Sequence, residues 1–124
     1  MNPVDLFSHE TNPVHLSTGE TLFRQGDAPD SMFVVLEGSL DVLVNDKVVE
    51  NAKSGAIIGE MALIDQSPRG ATVVAHEPAK LARLDAMRFH RVIQQNPFFA
   101  THVMKVLVGR IRQMDKLYSS GVEM

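Results

Sequence analysis

Closely spaced turn signals are the sequence feature that most limits which fold the first two thirds of the chain can adopt. Clusters of Gly, Pro, Asn, Asp and Ser recur at residues 17–19, 26–27, 28–30, 37–38, 45–46 and 54–55. Between them lie short runs rich in apolar and β-branched residues, at 33–36, 40–44 and 71–75. In the second run, Leu40, Val42 and Val44 fall on one face by the strand period of two. Many short strands with regular turns predict a β-barrel or sandwich over about residues 14–84, with a hairpin connection at 45–47.

The pattern changes from strands to helices after this region. Asp85 is a suitable N-cap, and apolar residues follow it at helical spacing, at Ala86, Phe89, Val92 and Ile93. Pro97 ends this helix, because the residue before a proline avoids helical backbone angles. The sequence therefore predicts one helix over about residues 86–96 and a second over about 98–118.

The second predicted helix carries an apolar stripe with coiled-coil spacing. Intervals of 3, 4, 3 and 4 separate Met104, Leu107, Ile111, Met114 and Tyr118. On this register Arg110 occupies a g position and Asp115 the next e position, so the two could pair across a parallel dimer. Two interpretations stay open at this point. The stripe is either a homodimer interface or the contact of the helix with its own domain.

Composition and charge exclude several functional classes. The chain has 124 residues, of which 44% are hydrophobic, which fits one domain with one core. It has no cysteines, which excludes disulfides and cysteine-ligated metal sites. A net charge of −3 argues against direct nucleic-acid binding, and no apolar run approaches the roughly 18 residues of a membrane span. Without a secretory signal at the N-terminus, we expect a cytoplasmic protein with no membrane contact.

The histidines raise the question of a metal-dependent barrel enzyme. They are scattered along the chain, at His9, His15, His76, His90 and His102. A metal site would need closely spaced strand histidines with a nearby carboxylate. We therefore expect no metal, no cofactor, no catalytic residues and no enzymatic activity.

The segment GEMALIDQSPRGATVV, at residues 59–74, places one acid and one base in apolar surroundings. Gly59 allows a ligand to approach the backbone, and the start of a short helix after it favours an anion. Arg69 offers a planar fork of donors suited to two phosphate oxygens. Glu60 would repel a phosphate but can accept a hydrogen bond from a hydroxyl group such as a ribose 2′-OH. The alternative interpretation is an ion pair between Glu60 and Arg69 that closes a loop.

The same segment resembles the phosphate-binding cassette of cyclic-nucleotide-binding domains. The family pattern is roughly FGELAL, a short loop, and then PRAATV. This sequence has IGEMAL at residues 58–63 and PRGATV at residues 68–73. The resemblance extends over nearly the whole chain, because Gly26 and Gly38 stand at turn glycines of the family and FVVLEG at 33–38 resembles its strand ending in glycine.

This resemblance implies a mainly β fold with flanking helices. The expected architecture is a double-stranded β-helix (jelly-roll) barrel followed by two C-terminal helices, as a single domain over residues 1–124 with no DNA-binding or catalytic domain. The implied function is a stand-alone cyclic-nucleotide sensor that repositions its C-terminal helix on ligand binding and acts on an unknown effector protein. The alternative is a degenerate member of the family that serves as a dimerisation or protein-docking module.

The resemblance also implies roles for individual residues of the cassette. The implied ligand-binding residues are Gly59, Glu60, Met61, Ala62, Arg69, Gly70 and Ala71. Gly59 and Ala62 would donate backbone N–H groups to the cyclic phosphate, and Glu60 would accept a hydrogen bond from the ribose 2′-OH. Arg69 would hold the exocyclic phosphate oxygens, assisted by the backbone that follows it.

Further residues are implied around the base of the nucleotide. The apolar wall would be formed by Phe23, Val42 and Val74, and a cap from the C-terminal helix by Met114, Asp115 or Tyr118. Gly70 stands where members that prefer cGMP often carry a threonine. The missing hydroxyl favours cAMP over cGMP as the ligand.

Overall fold

A computed structural model shows two four-stranded antiparallel sheets followed by two helices. It describes residues 2–122, and the side chains of residues 2–113. The elements are α1 (Pro3–Leu6), β1 (Val14–Leu16), β2 (Thr21–Phe23), β3 (Met32–Glu37), β4 (Ser39–Val44), β5 (Lys47–Lys53), β6 (Ile57–Ile58), α2 (Met61–Ile64), β7 (Thr72–Ala75), β8 (Ala79–Leu84), α3 (Ala86–Gln95) and α4 (Pro97–Val122). The strand orders are β1-β8-β3-β6 and β2-β7-β4-β5. The predicted mainly β fold with C-terminal helices is confirmed.

The boundaries of the two long helices follow from local chemistry. The Asp85 side chain accepts a hydrogen bond from the backbone N–H of Arg88 at 2.8 Å, which caps the start of α3. Helix α4 begins at Pro97, where a proline needs no N–H partner, and continues past the predicted end at residue 118. Within residues 2–122, every helix is too short or too polar to cross a lipid bilayer.

Buried apolar side chains form two clusters on opposite faces of the first sheet. One lies between the sheets and includes Phe33, Leu40 and Val73. The other lies beneath the helices and is centred on Phe99 of α4, which is fully buried. The Phe99 ring meets neighbouring aromatic rings edge-on, with centroid distances of 5.9 Å to Phe7 and 6.1 Å to Phe89. Phe99 therefore fixes both helices against the sheet.

The stripe on α4 differs from the one predicted. Leu107 packs against the cluster beneath the helices, whereas Met104, Val108 and Ile111 are exposed. The exposed apolar stripe therefore runs through Val108 in place of Leu107, with intervals of 4 and 3. The side chains predicted to extend it, or to cap the base, lie outside the described residues; they are Met114, Asp115 and Tyr118.

Arg110, predicted at a g position of a dimer seam, contacts its own domain. Its guanidinium turns toward the barrel and donates a hydrogen bond to the backbone oxygen of Ile57 at 3.1 Å. Its pairing with Asp115 across a dimer stays a prediction, since the Asp115 side chain lies outside the described residues.

Replacing Phe99 with alanine is expected to destabilise the domain by about 3–5 kcal/mol, because the truncation leaves a cavity among packed rings. Phe98→Ala is the matched control, since the adjacent ring is 75% exposed. We expect it to change the free energy of unfolding by less than about 0.5 kcal/mol. Urea denaturation of both variants measures the difference, and equal losses would contradict this account of how α4 docks.

Candidate ligand-binding site

A cavity of about 230 Å³ lies beside the cassette, defined here as residues 58–73. All seven predicted cassette residues line it. Of the predicted wall residues, Phe23 and Val42 also line it, whereas Val74 does not. The structure thus brings together one acid, one base and an apolar wall around a single space.

The wall residue on β7 is Val73 rather than Val74. Val73 is buried and lines the cavity, whereas Val74 is only partly buried. Successive side chains on a strand point to opposite faces, so only one of these two valines can face the cavity. The prediction of Val74 was wrong by this single step of alternation.

The guanidinium of Arg69 is buried and held by three oxygen atoms. It donates hydrogen bonds to the backbone oxygens of Ser31 (2.7 Å) and Gly59 (3.3 Å) and to the Asp30 carboxylate (3.2 Å). It also lies over the ring of Phe23, 4.1 Å from its centroid. The buried Nε atom has no hydrogen-bond partner among the described residues. One donor of a buried cation is therefore free.

Electrostatics at Arg69 favour an anion. Burial lowers the pKa of Arg69 from its ordinary value, while the Asp30 carboxylate opposes that shift. An arginine stays charged at neutral pH under such a shift. The Asp30 side chain is 68% exposed, so solvent weakens its compensation of the buried charge. The cavity therefore contains a positive charge that is only partly neutralised.

Gly59 is required where the cassette passes Arg69. Its φ angle is +75°, a region that favours glycine, and its carbonyl oxygen accepts one of the Arg69 hydrogen bonds. A Cβ atom at this position would lie 2.5 Å from Nη1 of Arg69. Any side chain here would displace the guanidinium.

Glu60 is 1% exposed and does not pair with Arg69. Its carboxylate contacts the guanidinium of Arg110, which reaches it from α4. The alternative of a loop-closing pair between Glu60 and Arg69 is therefore wrong. Oε1 of Glu60 contacts Nη1 of Arg110, whereas Oε2 has no hydrogen-bond partner among the described residues, so acceptor capacity is open at Oε2.

The backbone N–H groups predicted to meet a phosphate are not all free. The N–H of Ala62 donates to the backbone oxygen of Gly59 at 3.1 Å as α2 begins, and its contact with a phosphate stays a prediction. Within residues 2–122, no backbone hydrogen bond outside the regular elements uses the N–H of Gly70 or Ala71. These two groups follow directly after Arg69 and line the cavity with it.

Sequence reasoning missed several residues of the site. Asp30 and Ser31, which hold Arg69, precede a strand and gave no signal. Glu50 on β5 and Arg110 on α4 also line the cavity, with 3.8 Å between the Glu50 carboxylate and Nη2 of Arg110. The hairpin at residues 45–47 by itself would place Val49 opposite Val42, so the bulge hides Glu50 from the sequence, and only the tertiary fold reveals Arg110.

Comparison with known proteins agrees with this geometry. The sequence model of the cyclic nucleotide-binding domain matches residues 13–96. This chain belongs to the cyclic nucleotide-binding domain family. The match covers the described strands from Val14 to Leu84 and helix α3.

Solved structures share the cyclic nucleotide-binding fold. The catabolite activator protein of Thermus thermophilus superposes with a TM-score of 0.80 at 26% identity, over 90% of this chain and 55% of that one. The EAL enzyme Bd1971 matches in its cGMP-bound form (TM-score 0.64, 26% identity, 85% of this chain, 29% of that one). Its cAMP-bound form also matches, with a TM-score of 0.61 at 29% identity, over 82% of this chain and 29% of that one. This chain spans about half the length of the first protein and less than a third of the second.

Gly59→Ala is expected to destabilise the cyclic nucleotide-binding domain by at least about 1–2 kcal/mol, because alanine is strained at this positive φ angle. Gly109→Ala is the matched control, since Gly109 lies within α4 and a Cβ there meets nothing within 4 Å. The control should gain up to about 1 kcal/mol from helix propensity. Chemical denaturation of both variants tests the contrast. An unchanged or increased free energy of unfolding for Gly59→Ala would show that the backbone at Gly59 is not constrained.

Proposed function

We propose that this domain is a regulatory sensor that binds a 3′,5′-cyclic nucleotide in the cavity beside the cassette, and that it has no enzymatic activity. The observation that carries the proposal is the buried Arg69 guanidinium, whose Nε lacks a protein partner. A buried donor without an acceptor is costly, so an anion that meets it is bound favourably.

The phosphate would lie between Arg69 and the backbone that follows it. Nε of Arg69 and the N–H groups of Gly70 and Ala71 provide three donors along one short stretch. One partly neutralised guanidinium suits the single negative charge of a cyclic phosphodiester better than the several charges of a triphosphate. Charge therefore favours a cyclic nucleotide.

The ribose would be recognised through Glu60. A carboxylate accepts hydrogen bonds and donates none, and a ribose 2′-OH would supply the donor that Oε2 of Glu60 lacks. Arg110 contacts the other carboxylate oxygen, Oε1, from α4. A ligand without the 2′-OH would leave the acceptor unsatisfied and bind less tightly.

The base would lie against the apolar wall of Val42, Val73 and Phe23. Bd1971 has been solved with cGMP and with cAMP, which supports a purine of either kind in this fold. The preference for cAMP, based on the missing hydroxyl at Gly70, stays a prediction. It concerns one contact at the base and not the binding of the sugar and phosphate.

Movement of α4 would follow from occupation of Glu60. Arg110 joins α4 to Glu60 and to the backbone oxygen of Ile57, so a ligand that hydrogen-bonds to Glu60 acts on an anchor of this helix. A ligand shifts such an equilibrium only by binding one helix position better than another. We therefore propose that the change at Glu60 repositions α4.

The second candidate function is a docking or dimerisation module. The exposed stripe of Met104, Val108 and Ile111 on α4 favours it, since the spacing suits a second helix. This function needs no ligand in the cavity. The intact donors around Arg69 are unexplained by it, which is why we rank it second.

Calorimetric titration with cAMP and cGMP tests the sensor. We expect micromolar or tighter binding, which Arg69→Ala weakens at least about thirtyfold, because truncating one partner of a buried charged contact costs about 2–5 kcal/mol. 2′-Deoxy-cAMP should bind the unmodified protein at least about fivefold more weakly than cAMP, through loss of the Glu60 contact.

Arg91→Ala is the control for that titration, because Arg91 is exposed on α3 and does not line the cavity. It should bind as the parent does. If circular dichroism shows a folded protein and neither nucleotide gives heat, the sensor function is contradicted. The docking or dimerisation module then remains as the candidate function.

Arg110→Gln tests the link to α4. In the parent, ligand should change the hydrogen exchange of amides in residues 106–113, and in Arg110→Gln this ligand-induced change should be reduced, because Gln cannot form the ion pair with Glu60. The control is Arg112→Gln, an exposed position on the same helix. An unchanged ligand response in Arg110→Gln would show that the helix is coupled to the cavity in another way.

A further inference from the structure

A β-bulge places an acid at the apolar end of the cavity. The pairing of β4 with β5 shifts by one residue between Val42 and Leu43, so that Val42 lies directly opposite Glu50. Directly opposed residues of an antiparallel pair project from the same face. Both line the cavity, so the carboxylate borders the wall on which a base would rest.

The Glu50 carboxylate is available to a ligand. Its side chain is 48% exposed, and the nearest Arg110 nitrogen lies 3.8 Å away, beyond hydrogen-bond distance. Among the described residues, no side-chain hydrogen bond uses a Glu50 oxygen. Arg110 instead contacts Glu60 and the backbone of Ile57. Glu50 therefore keeps its acceptor capacity.

The wall beside Glu50 is apolar, and the guanidinium of Arg110 forms a long ion pair with the Glu50 carboxylate at 3.8 Å. Val42, Ile58 and Val73 are apolar, whereas Arg69 lies in the cassette and Glu60 is assigned to the ribose. We propose that Glu50 reads the edge of the base and makes this domain prefer guanine over adenine. The inference rests on the proposed function, because it needs a cyclic nucleotide in the cavity.

The chemistry of a carboxylate favours guanine. The Watson–Crick edge of guanine presents two neighbouring donors, N1–H and the 2-amino group, which can meet both oxygens of one carboxylate. Adenine presents one amino group flanked by ring nitrogens with lone pairs, so the second carboxylate oxygen would face an acceptor. Paired hydrogen bonds to an ionised group are stronger than single ones.

Glu50 and Gly70 lead to opposite expectations for the base. The missing hydroxyl at Gly70 withholds one contact from guanine, whereas Glu50 supplies two charge-assisted ones. Two such bonds outweigh the loss of one neutral bond. We therefore expect the contacts of Glu50 to outweigh the missing contact at Gly70.

The test is the ratio of the dissociation constants for cAMP and cGMP, measured by calorimetry on the full chain. We expect cGMP to bind at least about tenfold more tightly, with cyclic IMP between the two because it keeps N1–H and lacks the 2-amino group. Glu50→Gln should bring the two dissociation constants to within about threefold of each other, because an amide loses the charge and one acceptor oxygen and can form paired hydrogen bonds with either base. This variant preserves the shape of the side chain.

Glu37→Gln is the matched control, since it removes the same charge from an exposed position outside the cavity. It should keep the parental ratio. If both nucleotides bind the parent but Glu50→Gln leaves the ratio within about twofold of the parent, the role of Glu50 is overturned and the sensor stands. Tighter binding of cAMP than of cGMP by the parent would also overturn the role of Glu50 and leave the sensor standing. If neither nucleotide binds the folded parent, the proposed function and this inference both fail.

Discussion

The buried guanidinium of Arg69 is the interaction on which the rest of the site depends. A charge removed from water is costly, and here backbone oxygens of Ser31 and Gly59 stabilise it together with Asp30. Ser31 directly precedes β3 of one sheet, whereas Phe23, beneath the guanidinium, belongs to β2 of the other. The cation thus joins both sheets to the cassette. The guanidinium lies so close to Gly59 that a side chain there would displace it, and its Nε has no partner among the described residues.

Features set by neighbouring residues could be predicted from the sequence. Turn signals, alternation and the Asp85 cap located the strands and helices, because each depends on contacts within a few positions. The cassette is one contiguous stretch, so its acid, base and glycines could be assigned together. Val74 shows the limit of this reasoning. Without the neighbouring strands, nothing in the sequence tells which of two adjacent valines faces inward.

Features set by contacts between distant parts of the chain could not be predicted. Asn45 and Asp46 both have left-handed φ angles, as a two-residue turn requires. That turn alone would place Val49 opposite Val42, and the bulge replaces it with Glu50. Arg110 reaches the cavity only because Phe99 docks α4 beneath the sheet. Leu107 packs on its own domain, which agrees with one of the two interpretations of the heptad stripe.

The bulge in the β4–β5 pair also offers an evolutionary route to a new specificity. β5 lies at the edge of its sheet and pairs only with β4 among the described strands. Moving the bulge by one pair would bring Val49 opposite Val42 and leave the pairing of Asp41 with Asn51 unchanged. An apolar residue would then replace an acid beside the wall. Descendants of this domain could diverge in ligand choice through strand register, while every residue proposed to contact the anion stays as it is.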